Sequence, residues 1–161
     1  MYSKILVPLD GSALAERALN HAEEIARGTG AEMILMQVIQ FPLADAPEAG
    51  PAEVRRVFTE EVDSAGAYLE SIADRLRKAG VKVRSVVAQG AADSEILGFA
   101  HRENVDILVM STHGRSGLSK LLMGSVAQKV MVTTKRPVML VKPERLHASR
   151  VDEVDMFLGA H

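Results

Sequence analysis

The sequence has no cysteine and no tryptophan, and aromatic residues make up only 4% of its 161 residues. The lack of cysteine excludes thiol catalysis, thiolate metal sites and a disulfide-stapled scaffold. No apolar run approaches the roughly 20 residues that a membrane-spanning helix needs. The chain enters an apolar segment at residue 4 with no signal peptide before it, so the expected location is the cytoplasm.

The residues that are present are typical of one soluble globular domain, with 47% hydrophobic residues, 25% charged residues and a formal net charge of −2. This balance favours neither nucleic-acid binding nor disorder. The charge is divided unevenly, because residues 1–110 carry a net −6 whereas residues 111–143 contain six basic residues and no acid. An anionic ligand would therefore meet the least repulsion in the segment 111–143.

Apolar runs alternate with segments of helical periodicity. Short apolar runs predict strands at residues 4–9, 34–39, 81–88, 106–110 and 137–141. The spacing of apolar residues predicts four helices, which start at Ser12, near residue 53, at a cap formed by Asp93 or Ser94, and near Ser125. Gly30 and Gly80 are predicted to end the first two helices. Residues 41–51, with three prolines and a glycine, predict a loop.

Strands that alternate with helices, each strand continuously apolar, indicate an α/β fold with a parallel sheet. We predict a single doubly wound domain over residues 1–143, with a five-stranded parallel sheet in the order 3-2-1-4-5 and helices on both faces. Residues 144–161 are predicted to form a C-terminal tail. Ligands of such sheets bind beyond the carboxyl ends of the strands, where the strand order reverses. The candidate site therefore lies in the loops 8–12 and 111–125.

The second of these loops has the parts that a phosphate cradle needs. Its glycines allow backbone N–H groups to approach oxygen atoms closely, and five hydroxyl side chains add donors. Gly124 and Ser125 open a predicted helix whose N-terminal N–H groups favour an anion. Arg115 and Lys120 supply positive charge. Together these features favour an anionic ligand.

The chain resembles the universal stress protein family from residue 5 to about residue 143. The resemblance rests on residues 7–12 (VPLDGS) and residues 112–117 (THGRSG), together with the Gly124–Ser125 pair. In nucleotide-binding members the pattern is glycine, two residues, glycine, nine residues, glycine, then serine or threonine. This chain matches at Gly114, Gly124 and Ser125 and departs at Ser111. Two consequences of Ser111 are open. Its Cβ would crowd the ribose or phosphate, or its hydroxyl would donate a hydrogen bond to the same group.

The resemblance implies a site for ATP, with Mg²⁺ bound through the phosphates. Asp10 would accept hydrogen bonds from the ribose hydroxyls or lie near the magnesium ion. Pro8 and Leu9 would shape the adenine wall, which Val38 and Met110 would also contact. The remaining implied site residues, mostly around the phosphates, are Ser111, Thr112, Gly114, Arg115, Gly124, Ser125, Val126 and Ala127. His113 lies in the same loop, but its role stays open.

Some of these residues also have a purely structural interpretation. Asp10 and Ser12 suit a helix-capping turn whatever the function, since both residue types favour such positions. No Ser-His-Asp order or metal-ligand spacing surrounds His113, so no catalytic residue is assigned.

The leading functional hypothesis is a cytoplasmic ATP-binding stress-response regulator that acts through nucleotide-dependent contacts with a second copy or with an unidentified regulatory protein. The resemblance implies a homodimer through the last strand, Val138–Val141, whose exposed edge invites pairing. One alternative is a slow ATP hydrolase, because phosphoryl transfer needs few protein groups. Another is a nucleotide-free dimerisation module, if Ser111 disables the site.

Overall fold

The computed structural model of the protein describes residues 1–40, 50–112 and 123–142. In these ranges strands alternate with helices along the chain, as the sequence predicts. In chain order the elements are β1 (Lys4–Leu9), α1 (Ala13–Thr29), β2 (Glu32–Ile39), α2 (Pro51–Lys78), β3 (Val83–Gln89), α3 (Ala92–Arg102), β4 (Ile107–Ser111), α4 (Ser125–Thr133) and β5 (Val138–Val141).

The five strands form one parallel sheet in the order β3-β2-β1-β4-β5, which confirms the predicted fold. β1 lies at the centre, with Leu6 paired to Ile34 of β2 on one side and to Leu108 of β4 on the other. Side chains of β1 and β4 are almost entirely buried because helices cover both faces of the sheet. β3 and β5 lie at the two edges and are only half-buried for most of their length.

The two faces of the sheet carry separate cores. Along β2, Met33 and Leu35 pack with α1 and α2, whereas Ile34 and Met36 pack with α3 and α4. This alternation follows from the two-residue period of a strand. On the first face, α1 presents a stripe of alanines that lets the helix lie close to the sheet, namely Ala15, Ala18, Ala22 and Ala26.

The predicted ends of the first two helices are correct. The hydroxyl of Ser12 accepts a hydrogen bond from the N–H of Ala15 at 3.1 Å and so caps the start of α1. Gly30 ends this helix with a φ of 73°, and Gly80 follows α2 with a φ of 84°. Both values lie in the left-handed region that glycine adopts without a Cβ clash.

Two predicted helix starts are wrong. α2 begins at Pro51, which the sequence placed in the loop, because proline fits the first turn of a helix where its missing N–H needs no partner. α3 begins at Ala92, and its N-cap is Ala91 with no side-chain hydrogen bond, rather than Asp93 or Ser94. Asp93 lies inside the first turn instead, where a carboxylate interacts favourably with the helix dipole.

The predicted strand bounds shift by one or two residues. β2 begins at Glu32 rather than at residue 34, and β3 begins at Val83 rather than at residue 81. Val81 is buried but its N–H donates to the carbonyl of Leu76 at 3.0 Å, so it belongs to the turn that ends α2. β4 runs one residue further than predicted, to Ser111.

No helix in the described part of the chain is long and apolar enough to cross a membrane. The predicted tail, residues 144–161, lies outside the described residues.

Candidate functional site

A cavity of about 480 Å³ lies at the carboxyl edge of the sheet, where β1 and β4 end side by side. The chain leaves β1 towards α1 on one face of the sheet and reaches β4 from α3 on the other. The strand order therefore reverses at this point, and the reversal opens a crevice between the loops that follow the two strands. The volume falls in the range of small-molecule sites.

Most of the site residues predicted from the sequence line this one cavity. They come from β1, β2, β4 and the start of α4, which lie far apart in the chain. The lining includes Pro8, Leu9, Asp10, Val38, Met110, Ser111, Thr112, Gly124, Ser125, Val126 and Ala127. Gly114 and Arg115, together with His113, lie outside the described residues.

Five further lining residues were missed by the sequence analysis. Met36 and Ile96 add apolar floor between β2 and α3, Ala92 and Ala15 come from the first turns of their helices, and Gln40 follows the end of β2. Met36 and Ile96 are almost fully buried, so in sequence they look like ordinary core positions. Gln40 could have been predicted as a site residue, since it is the first polar residue after the strand predicted at residues 34–39.

The turn after β1 is organised by Asp10. Its Oδ1 atom accepts hydrogen bonds from the backbone N–H of Ser12 at 3.0 Å and from the hydroxyl of Ser12 at 2.6 Å. The same hydroxyl accepts from Ala15 in the first turn of α1. The capping turn considered for these residues is thus present, and it holds the Asp10 carboxylate at the cavity wall.

A second set of bonds joins the two segments that flank residues 113–122. The carbonyl of Thr112 accepts a hydrogen bond from the N–H of Gly124 at 2.7 Å. The N–H of Thr112 donates to the carbonyl of Val141, the last residue of β5, at 3.0 Å. Thr112 and Ser111 are both more than nine-tenths buried. Their backbone therefore forms a fixed part of the cavity wall that is tied directly to the edge strand.

The start of α4 points towards the cavity. Its N-cap, Gly124, has no side chain to satisfy the first N–H groups of the helix, and the next three residues all line the cavity. These N–H groups have no acceptor within the helix, and they carry the positive end of the helix dipole. An anion at this end of the cavity would be stabilised by both effects.

Little side-chain charge lines the cavity. Among the lining residues that the structure describes, Asp10 carries the only charge. In the acid-free segment 111–143, Lys129 pairs with Asp93 at 3.3 Å. The pKa of Asp106 is held below its usual value mainly by hydrogen bonds from the N–H groups of Ser3 and Lys4, and Arg136 adds a smaller electrostatic contribution. Arg115 and Lys120, the cations predicted to face a ligand, lie outside the described residues. The attraction that the described wall offers to an anion therefore comes from the start of α4.

No group of three or more potential metal ligands occurs among residues 1–40, 50–112 and 123–142. A magnesium ion at the cavity would have Asp10 as its carboxylate on the described wall and would take most of its ligands from phosphates and water. That ligand set is common for magnesium, which keeps several waters and needs only one or two carboxylates.

Comparisons with known proteins agree with this architecture. The model of the universal stress protein family matches residues 1–142. Universal stress protein MJ0531 of Methanocaldococcus jannaschii is 33% identical, over 88% of this chain and 83% of its own length. Universal stress protein MJ0577 of the same organism is 32% identical, over 88% of this chain and 96% of its own.

Solved structures give the same result. The structure of MJ0577 matches with a TM-score of 0.80 at 32% identity, and the match covers 90% of this chain and 99% of that one. A universal stress protein crystallised in complex with cAMP matches with a TM-score of 0.63 at 26% identity, over 89% of this chain and 98% of that one. The chain belongs to the universal stress protein family.

Proposed function

We propose that this chain is an ATP-binding regulatory protein of the stress response, acting in the cytoplasm as a homodimer whose contacts depend on the bound nucleotide. The observation that carries the proposal is a cavity that is lined both by apolar side chains and by the start of a helix without a side-chain cap. A nucleotide has the matching chemistry, since its base is flat and weakly polar and its phosphates are anionic.

The base is assigned to the apolar part of the cavity. Pro8 and Leu9 supply one wall, Val38 and Met110 contact the ring, and Met36 closes the floor. Burying such a surface contributes roughly 25 cal/mol per Å² of apolar area removed from water.

The phosphates are assigned to the N–H groups of Ser125, Val126 and Ala127, together with Gly114 and Arg115. Asp10 lies at the cavity wall, and its turn holds the carboxylate in place. The carboxylate is assigned to the ribose hydroxyls or to the magnesium ion that accompanies the phosphates. The cAMP complex of a family member supports a nucleotide as the class of ligand.

The homodimer is assigned to β5. This strand ends the sheet, so one row of its backbone groups is left unpaired by the other strands. Met139 of β5 is 37% exposed, and Met131 and Val132 of the neighbouring helix α4 are 42% and 70% exposed. An apolar edge of this kind suits pairing with a second copy better than contact with water.

The test of nucleotide binding is calorimetric titration of the purified protein with ATP and Mg²⁺, using Ala92→Leu and Ala91→Leu as matched variants. Ala92 lines the cavity, whereas Ala91 is exposed and does not. The Ala92→Leu variant should bind ATP at least about tenfold more weakly, because the added carbons occupy ligand space. The Ala91→Leu variant should bind as the original protein does. Equal ATP affinity in both variants would place the nucleotide elsewhere.

Heating freshly purified protein and identifying the released small molecules by mass spectrometry separates the alternative functions. Recovered ATP supports the proposal, and recovered ADP or AMP favours a slow hydrolase. If no nucleotide is released and titration gives no heat, the chain is a nucleotide-free dimerisation module. In that case Ser111, which stands where nucleotide-binding members have glycine, is the residue to replace first.

A further inference from the structure

Methionine is the only sulfur-containing residue type in the chain, with eight methionines and no cysteine. The methionines that the structure describes differ widely in exposure. Met33, Met36 and Met110 are at most 5% exposed and pack within the two cores. Met131 and Met139 are instead 42% and 37% exposed. Their thioether sulfurs are therefore far more accessible to small solutes than those of the buried methionines.

Met139 belongs to the edge strand β5, and Met131 belongs to α4, which packs on one face of the same sheet. Val138 and Leu140 pack with the core beneath α3 and α4, so Met139 points to the other face, as Val141 does. Met131 lies near the end of α4, next to the largely exposed Val132. Both methionines are among the exposed apolar residues of α4 and β5 that we assign to contact with the second copy of the chain.

The chemistry of a thioether fits such a position. A sulfur lone pair attacks one oxygen of a peroxide, an S–O bond forms, and the O–O bond breaks. The second oxygen leaves with a proton as water or an alcohol, so the sulfur is oxidised by two electrons while the peroxide is reduced. The product, methionine sulfoxide, is polar, and sulfoxide reductases restore the thioether.

We propose that Met131 and Met139 form a peroxide-sensitive modification site, and that their oxidation separates the homodimer by making the α4–β5 surface polar. This inference rests on the proposed homodimer. Peroxide oxidises the two sulfurs while the surface is exposed to solvent in the monomer. The resulting sulfoxides oppose reassociation, because a polar group is disfavoured in an apolar interface. Met36 and Met110, which line the ligand cavity, should stay unoxidised because they are buried.

The test exposes the full chain to hydrogen peroxide at a series of protein concentrations and maps the sulfoxides by peptide mass spectrometry. Met1 is fully exposed and serves as the reference for unprotected oxidation, while Met33 is fully buried and serves as the protected control. Oxidation of Met131 and Met139 should slow as the protein concentration rises through the dimer dissociation constant. Oxidation of Met1 should not change with concentration.

Analytical ultracentrifugation before and after oxidation measures the dimer dissociation constant. Peroxide should raise the dimer dissociation constant by about tenfold or more. The double variant Met131→Leu, Met139→Leu keeps the apolar surface without the sulfurs, so it should dimerise normally and stay dimeric in peroxide. A sulfoxide reductase should restore the dimer of the oxidised original protein.

Two outcomes overturn the proposal while leaving the dimer intact. One is a protein that carries both sulfoxides and dimerises as tightly as before. The other is a double leucine variant that loses its dimer in peroxide as the original does, because another residue is then responsible. A protein that is monomeric at every concentration before oxidation contradicts the dimer itself, and the proposal falls with it.

Discussion

At the scale of single residues, Gln37 is a buried polar side chain in the middle of the sheet. It lies in β2, paired with Leu9 on one side and Val87 on the other, and it is 5% exposed. Its Oε1 atom is buried and has no hydrogen-bond partner among the described residues. Burying an unsatisfied carbonyl costs on the order of 1–3 kcal/mol, so Gln37 works against the stability of the sheet.

We therefore expect Gln37→Met to raise the free energy of unfolding by about 1 kcal/mol, because methionine has a similar length and no polar atom to satisfy. Urea denaturation followed by circular dichroism measures the change. Gln89→Met is the control, since Gln89 is exposed at the end of β3 and should change little. A loss of stability in Gln37→Met would show that the amide has a partner in the native protein.

The same scale shows which parts of the candidate site were readable in the sequence. Asp10, Gly124 and Ser125 stand out because they interrupt apolar or helical patterns at the ends of predicted elements. Met36 and Ile96 do not stand out, because a side chain that lines a cavity and one that fills a core have the same apolar character. Only the three-dimensional arrangement shows that these two border the cavity.

At the scale of elements, the type and order of the elements followed from hydrophobic periodicity, whereas several boundaries did not. The starts of α2 and α3 depend on backbone geometry at Pro51 and Ala91, where no side-chain cap marks the first turn. The start of β3 depends on a backbone bond from Val81 to Leu76 that no local pattern indicates. Boundaries fixed by backbone hydrogen bonds are thus harder to predict than those fixed by a capping side chain such as Ser12.

Long-range contacts between elements were also invisible in the sequence. Asp106, just before β4, accepts hydrogen bonds at its Oδ2 atom from the N–H groups of Ser3 at 2.7 Å and Lys4 at 2.9 Å. These bonds hold the pKa of Asp106 below its usual value, and the nearby Arg136 adds to the effect. One carboxylate therefore anchors the start of β1 to the start of β4, about 100 residues later in the chain.

This anchor predicts a pH dependence with a definite sign. A carboxylate whose pKa is lowered by folding stabilises the native state above its unfolded pKa of about 3.9, and that contribution is lost as the pH falls further. Asp106→Asn should lower the free energy of unfolding by about 1 kcal/mol at pH 7, because the hydrogen bonds lose their charged acceptor. The effect is modest because residue 106 is partly open to solvent. The difference in the free energy of unfolding between Asp106→Asn and the original protein should shrink below about pH 4.

Urea denaturation at several pH values measures this difference. Asp63→Asn is the matched control, because Asp63 is an exposed carboxylate on α2 and its replacement should change stability little at any pH. A stability loss in Asp106→Asn that stays constant from pH 7 to pH 3 would mean that packing, rather than the charged bonds, is responsible.

At the scale of the whole molecule, two short elements, α4 and β5, connect the candidate site to the proposed dimer surface. α4 begins at the cavity with Gly124 and ends beside the exposed Met131 and Val132. The end of β4 lines the cavity while Thr112 bonds to the end of β5. Along α4, a ligand at Ser125 is separated from Met131 by about 9 Å of helix, given a rise of 1.5 Å per residue.

The dimer itself is tested by placing a charge on the edge strand. Met139→Asp should convert the protein from a dimer to a monomer of 17.4 kDa in light scattering at micromolar concentration, because a carboxylate cannot be buried against an apolar partner without a large desolvation cost. Val57→Asp is the control, since Val57 on α2 is 36% exposed, almost the same as Met139, but lies far from β5 in the fold. It should leave the mass unchanged. If Met139→Asp remains dimeric, the second copy binds another surface, and the oxidation of Met139 then has no route to the assembly.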